Sequence, residues 1–147
     1  MPAGNDPRLV PALEATLHRL LERLGDDLRP LGLSQGEINA LAQLERARPR
    51  TVAEVQRATG QRASTLTGIL DRLEGRGLVR REPNPRDRRS FTVSLTADGA
   101  RAATRVRRAF ADIERAALAG VSEGSARGFF TVLAALDDAA GGEHRPR

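Results

Sequence analysis

The chain has 147 residues and a formal net charge of +5; its 24 basic residues are all arginine, against 19 acids. Cysteine, tryptophan and tyrosine are absent and histidine occurs only at 18 and 144, which excludes disulfides, thiolate metal sites, thiol redox sensing and a convincing metal cluster. No apolar run approaches the ~20 residues of a membrane span, and Met1–Pro11 lacks a basic start followed by an apolar block, so the expectation is a cytoplasmic protein without a membrane partner or cofactor.

The length fits about one domain. With phenylalanine only at 91, 110, 129 and 130, the core must come from leucine, valine and alanine, and helices are the expected result. Asp6-Pro7 reads as a helix start, an acidic cap before a proline that suits the first helical position. The helix should run to about Arg29, because Leu9, Leu13, Leu17, Leu20, Leu21, Leu24 and Leu28 recur three or four apart and Pro30 and Gly32 then end it. That leucine stripe suits packing within the subunit or against a second copy.

Ser34 with Glu37, and again Thr51 with Glu54, form capping-box patterns that predict a helix over about 35–47 and a short one ending at Gly60. Pro49 separates them. From Gln61 or Arg62 a further helix is expected, with Leu66, Ile69, Leu70 and Leu73 on one face and Gln61, Ser64, Gly68 and Asp71 roughly opposite. Thr65, Thr67 and Arg72 flank that small polar face, which suits a narrow space such as the DNA major groove. Asp71, a poor neighbour for phosphate, is expected to pair with an arginine, either Arg72 or one from the basic hairpin that follows.

Gly75 and Gly77 break this helix, and residues 78–82 read as a strand. The segment from Pro83 to Asp87 is rich in turn formers and is expected to interrupt strand pairing. Phe91–Leu95 alternates apolar and polar residues, as a half-buried strand does. Three helices followed by such a β-hairpin are the parts of a winged helix-turn-helix. Charge singles out the same region: from Arg50 to Arg89 there are ten arginines and five acids, and the rest of the chain is neutral. Localised basic charge points to a polyanionic partner.

Thr96 can cap a helix over about 97–119 with Ala103, Val106, Phe110, Ile113 and Ala117 as its apolar stripe, and Arg101, Arg105 and Arg108 on another face. After Gly120, Ser122 can cap a last helix bearing Phe129, Phe130, Leu133 and Leu136. Residues 141–147 are expected to be a disordered tail.

The runs Leu70-Asp71-Arg72-Leu73-Glu74, Gly77-Leu78-Val79-Arg80-Arg81, Asp87-Arg88-Arg89 and Leu95-Thr96-Ala97-Asp98-Gly99, in that order and spacing, resemble the signature of the multiple-antibiotic-resistance regulator (MarR) family. The resemblance implies a mainly α fold with a small β-hairpin, in which a winged helix-turn-helix over 34–95 is flanked by dimerisation helices over 7–29 and 97–140. It implies a homodimer that binds double-stranded DNA at a pseudo-palindromic site as a ligand-responsive transcriptional repressor. Gln61, Arg62, Ser64, Thr65, Thr67, Gly68 and Arg72 would then serve the major groove and nearby phosphates. Asp87 would orient the wing, Arg89 would reach the minor groove, and Arg86 and Arg88 would supply phosphate contacts or hold the wing. A small aromatic or phenolic effector is implied as well, with pocket residues that the sequence does not reveal.

Two other classes compete with this reading. An enzyme is disfavoured, because no phosphate-binding glycine loop, nucleophile–histidine–acid set or apolar carboxylate pair is present, so no catalytic or metal residue is assigned. A winged-helix module that binds protein instead of DNA remains the alternative, since fold does not fix function.

Overall fold

The computed structural model describes residues 8–141, in two compact units, one reaching to Ala109 and one from Phe110 onward. In the first, α1 (Leu9–Leu28) runs into a 3-10 turn (Arg29–Leu31) and is followed by α2 (Gln35–Ala42), β1 (Arg50–Thr51), α3 (Val52–Thr59), α4 (Ala63–Gly75), β2 (Val79–Asn84) and β3 (Asp87–Leu95). α5 (Ala97–Leu118) begins in this unit and ends in the second, which also holds α6 (Glu123–Ala139). The mostly helical architecture with a small antiparallel sheet is the one expected. Among the described residues no helix is long and apolar enough to cross a membrane.

The core of the first unit is aliphatic, and on α4 it falls on the face that the sequence periodicity marked. Ile38, Leu41, Leu44, Val55, Leu66, Ile69, Leu70, Leu73, Val79, Val93, Leu95, Ala103 and Val106 are all buried. Both capping boxes form: Ser34 and Thr51 accept from the amides of Glu37 and Glu54, whose carboxylates accept from the cap amides in return. Two glycines permit close packing here. A Cβ on Gly99 would lie 1.8 Å from the Leu78 carbonyl oxygen, and one on Gly36 would lie 2.6 Å from Ile69 Cδ1. Near Gly99, Thr96 ties strand to helix, its hydroxyl donating to the Gly77 carbonyl at 2.7 Å while accepting from the Gly99 amide at 3.0 Å.

Three expectations are corrected. α2 stops at Ala42 instead of 47, because the chain after it is drawn to the sheet: Leu95 donates its amide to the Glu45 carbonyl, and Arg50 and Thr51 pair with Val93 and Thr92. The resulting β1 was not foreseen, so the hairpin is part of a three-stranded sheet in the order β1-β3-β2. β2 also continues through Pro83 to Asn84, leaving only Pro85 and Arg86 outside the strands. A proline is tolerated there because β2 is an edge strand and the register shifts between Pro83 and Asn84.

At the N-terminal end, α1 starts at Leu9 with Arg8 in the cap position and no side-chain cap bond; Asp6 and Pro7 lie outside the described residues. Only Leu24 and Leu28 of its stripe are buried, while Leu9, Leu17 and Leu20 are exposed. The second unit has its expected start, Ser122 accepting from the Ser125 amide at 3.1 Å. None of the residues of α6 is buried. Phe129 and Phe130 are 52% and 68% exposed, their rings edge to face with centroids 6.1 Å apart. The expected disordered tail lies, from residue 142, outside the described residues.

Candidate nucleic-acid interface

α3 ends because Gly60 adopts φ +67°, and Asn39 fastens the turn by donating to the Thr59 carbonyl at 3.3 Å. α4 then buries Leu66, Ile69, Leu70 and Leu73. This leaves Arg62, Ser64, Thr65 and Thr67 exposed and Gln61 and Gly68 half-buried. The Thr67 hydroxyl donates to the Ala63 carbonyl at 3.0 Å, so towards solvent it offers acceptor lone pairs.

The ten arginines between residues 50 and 89 sort into two groups. Three are held by the protein. Arg72 donates Nε to Glu37 Oε1 at 3.0 Å, Arg76 donates to the carbonyls of Gly32 and Leu31 at 2.8 and 2.7 Å, and Arg81 donates to Asp71 and Glu74, both at 2.6 Å. The arginine expected to neutralise Asp71 is therefore Arg81, on the first strand of the wing. Among the described residues, Arg50, Arg57, Arg62, Arg80, Arg86, Arg88 and Arg89 make no side-chain hydrogen bond or ion pair, and all but half-buried Arg50 are exposed.

Charge compensation is visible in the proton affinities. Burial works to raise the Glu37 carboxyl, but the Ser34 amide and the Arg72 guanidinium outweigh it and hold it below the ordinary value of 4.5. The Glu74 carboxyl is likewise lowered, chiefly by the hydrogen bond from Arg81, and the Arg81 guanidinium is raised in turn, chiefly by Glu74. Glu74 also accepts the Arg81 main-chain amide at 3.2 Å. This single carboxylate therefore clips the base of the wing to α4.

At the tip, side chains organise the backbone. Asn84 accepts from the Arg86 amide, and Asp87 accepts from the Arg89 amide, each at 3.0 Å. Ser90 completes the turn, accepting from Asn84 Nδ2 and donating to the Asp87 carbonyl. A cavity of ≈ 570 Å³ opens between the start of α3, α4 and the wing, with Val52, Thr67, Leu70, Arg81, Arg89 and Phe91 among its lining residues. The sequence left open which arginine neutralises Asp71, and it singled out Arg72 as a surface cation but gave no sign of its bond to Glu37, of the bonds made by Arg76 or of the bond from Arg81 to Glu74. Partners 35, 44 and 10 residues away leave no periodic trace.

A helix-turn-helix whose second helix exposes small polar groups beside an arginine-bearing three-stranded wing defines a winged helix-turn-helix protein. Residues 31–90 match the sequence profile of the MarR family. The HTH-type transcriptional regulator PecS of Dickeya dadantii (strain 3937) is 34% identical over 122 residues, which cover 80% of this chain and 74% of PecS. The chain belongs to the MarR family, whose members are transcriptional regulators and not enzymes. The multiple antibiotic resistance protein MarR of Escherichia coli (strain K12) is 33% identical over 93 residues, or 63% of this chain; the chain spans 62% of the length of that relative. Among solved structures, the transcriptional repressor CouR bound to a 23-mer DNA duplex superposes with a TM-score of 0.72 at 27% identity, covering 92% of this chain and 97% of CouR.

Proposed function

We propose that the protein is a sequence-specific, double-stranded-DNA-binding transcriptional regulator, acting as a homodimeric and ligand-responsive repressor on a pseudo-palindromic operator. The observation that carries this reading is the sorting of the arginines: among the described residues, seven guanidinium groups without a side-chain partner lie in the same unit as a small polar helix face, while three others hold that unit together. Unpaired arginines that the fold does not use are the groups a phosphate backbone would neutralise.

In this reading α4 lies in the major groove, with Gln61, Ser64, Thr65, Thr67 and Gly68 at base edges and Arg62 near phosphate, while Arg72, named from the sequence as a further contact, is engaged by Glu37 and steadies the helix. Arg89 enters the minor groove, whose negative potential is greatest where it is narrow. Arg86 and Arg88 meet the backbone, and Asp87 fixes the amide of Arg89 and so the direction of the tip. The DNA duplex carried by CouR supports a nucleic acid as the partner over another protein. The exposed apolar residues of α1 and α6 support a second copy of the chain as the remaining partner, with residues 7–29 and 97–140 supplying the dimerisation helices. Family membership supports a small aromatic or phenolic effector that favours a spacing of the two reading helices unsuited to successive major grooves.

Selection of bound sites from a random duplex pool, followed by binding at several salt concentrations, tests the whole reading. The expected result is a site with two-fold symmetry and an affinity whose logarithm falls by about 0.9 per phosphate contact for each tenfold rise in salt. Failure to enrich any duplex, or binding insensitive to salt, would favour the protein-interaction module instead.

A further inference from the structure

Arg76 is exposed and stands just past the end of α4, where a basic side chain would ordinarily be left to solvent. Instead its guanidinium forks onto two main-chain carbonyls, Leu31 at 2.7 Å and Gly32 at 2.8 Å, more than forty residues earlier in the chain. These carbonyls lie where the 3-10 turn after α1 gives way to a glycine at φ +59°. Helix ends of this kind leave carbonyls without intrahelical donors and carry partial negative charge, so a forked cation is well matched to them.

A second bond makes the first informative. Arg72, one turn earlier on the same face of α4, reaches Glu37 in the first turn of α2. The C-terminal half of α4 is thus held at two points, about 6 Å apart along its axis, one to the first turn of α2 and the other to the segment that connects α1 with α2. One point of attachment would leave the helix free to pivot; two fix its direction. Leu28, 3% exposed, buries the end of α1 immediately before this segment, and Pro30 sits within it, so the anchor itself is stiff.

We infer that Arg76 is a positioning residue that sets the presentation angle of α4 from the end of α1, so that displacement of the N-terminal helix is passed to the DNA-reading helix through its guanidinium. The inference rests on the proposed reading of α4 as the DNA-contacting helix. A phosphate contact is the competing role for an exposed arginine here, and the two differ in what they demand of the side chain. A phosphate contact needs a positive charge, whereas the two carbonyls need a fork.

The test uses the full chain, the duplex selected by the wild-type protein and the same duplex with its half-sites moved apart by one base pair. Arg76→Ala is expected to lower affinity for the selected duplex about tenfold, within the usual range of coupling between sites. It should leave the salt dependence unchanged and narrow the preference for the selected spacing. Arg76→Lys keeps the charge but cannot serve both carbonyls in one plane, so it should resemble Arg76→Ala, and it carries the comparison should Arg76→Ala fail to fold. The inference is overturned if Arg76→Ala binds and discriminates as the wild type does. It is also overturned if the salt slope drops by about one phosphate contact while Arg76→Lys restores affinity. Wild-type protein that selects no duplex overturns the DNA reading itself, a result distinct from wild-type binding that Arg76 does not affect.

Discussion

Helices α4 and α6 make an instructive pair. Both are amphipathic, and α6 is the longer, with 17 residues against 13. Yet α4 buries four large apolar side chains, and α6 buries none while exposing two phenylalanines. Periodicity reports that a helix has an apolar face; it is silent on what covers that face. In α4 the cover is the remainder of its own unit. For α6 the proposed cover is a second chain, and the apolar residues left bare along α1 point the same way.

This contrast can be broken by experiment. The largest effect is expected at Leu73, fully buried in the core. Leu73→Ala should cost about 2–5 kcal/mol in chemical denaturation, with no dependence on protein concentration beyond that of the wild type. Replacing Phe129 and Phe130 together by serine should weaken self-association by about 2 kcal/mol or more, read by analytical ultracentrifugation, while the first unit keeps its helical signal. If that double variant instead unfolds the first unit at all concentrations, the two helices are not as different as the structure indicates.

Smaller effects sharpen the division within the first unit between arginines proposed to bind DNA and arginines that hold the fold. Arg89→Ala should weaken binding to a selected duplex by about 1–3 kcal/mol and leave the unfolding midpoint in place. Unchanged affinity with the wing intact would remove Arg89 from the interface. The least effect belongs to Glu37. Its carboxyl is lowered in the folded state, so its contribution is complete above the unfolded value near 4.5 and disappears as pH falls through the lowered folded value. Denaturation of wild type and Glu37→Gln between pH 7 and pH 3 should therefore show a stability gap that closes towards acid. A gap that widened would reverse the sign of the assignment.

Much of this was legible in the sequence because it is local. The capping boxes, the leucine faces and the glycines that end α3 and α4 are set by residues within a few positions of each other. The wing's length was misjudged because the rule against proline in a strand depends on whether the strand is an edge, which is a property of the sheet. β1 was missed for a related reason, since two residues carry no period and acquire their strand conformation only from Thr92 and Val93. At the candidate interface, the polar face of α4 could be drawn on a helical wheel. The separation of free from occupied guanidinium groups could not, because Glu37, Leu31 and Gly32 reach Arg72 and Arg76 only through the folded chain.

The short strand β1 also grades the stiffness of the wing. Over Thr92–Leu95, β3 has β2 on one side and chain on the other, through β1 and the Glu45 carbonyl; over Asp87–Phe91 it pairs with β2 alone. Main-chain amides at the root should accordingly exchange with solvent far more slowly than those at the tip. The wing then behaves as a cantilever, rigid where it is clamped and increasingly compliant towards Arg86. On the proposed reading, a compliant tip would let the outer arginines follow variations in groove width from one site to the next without disturbing the seat of α4.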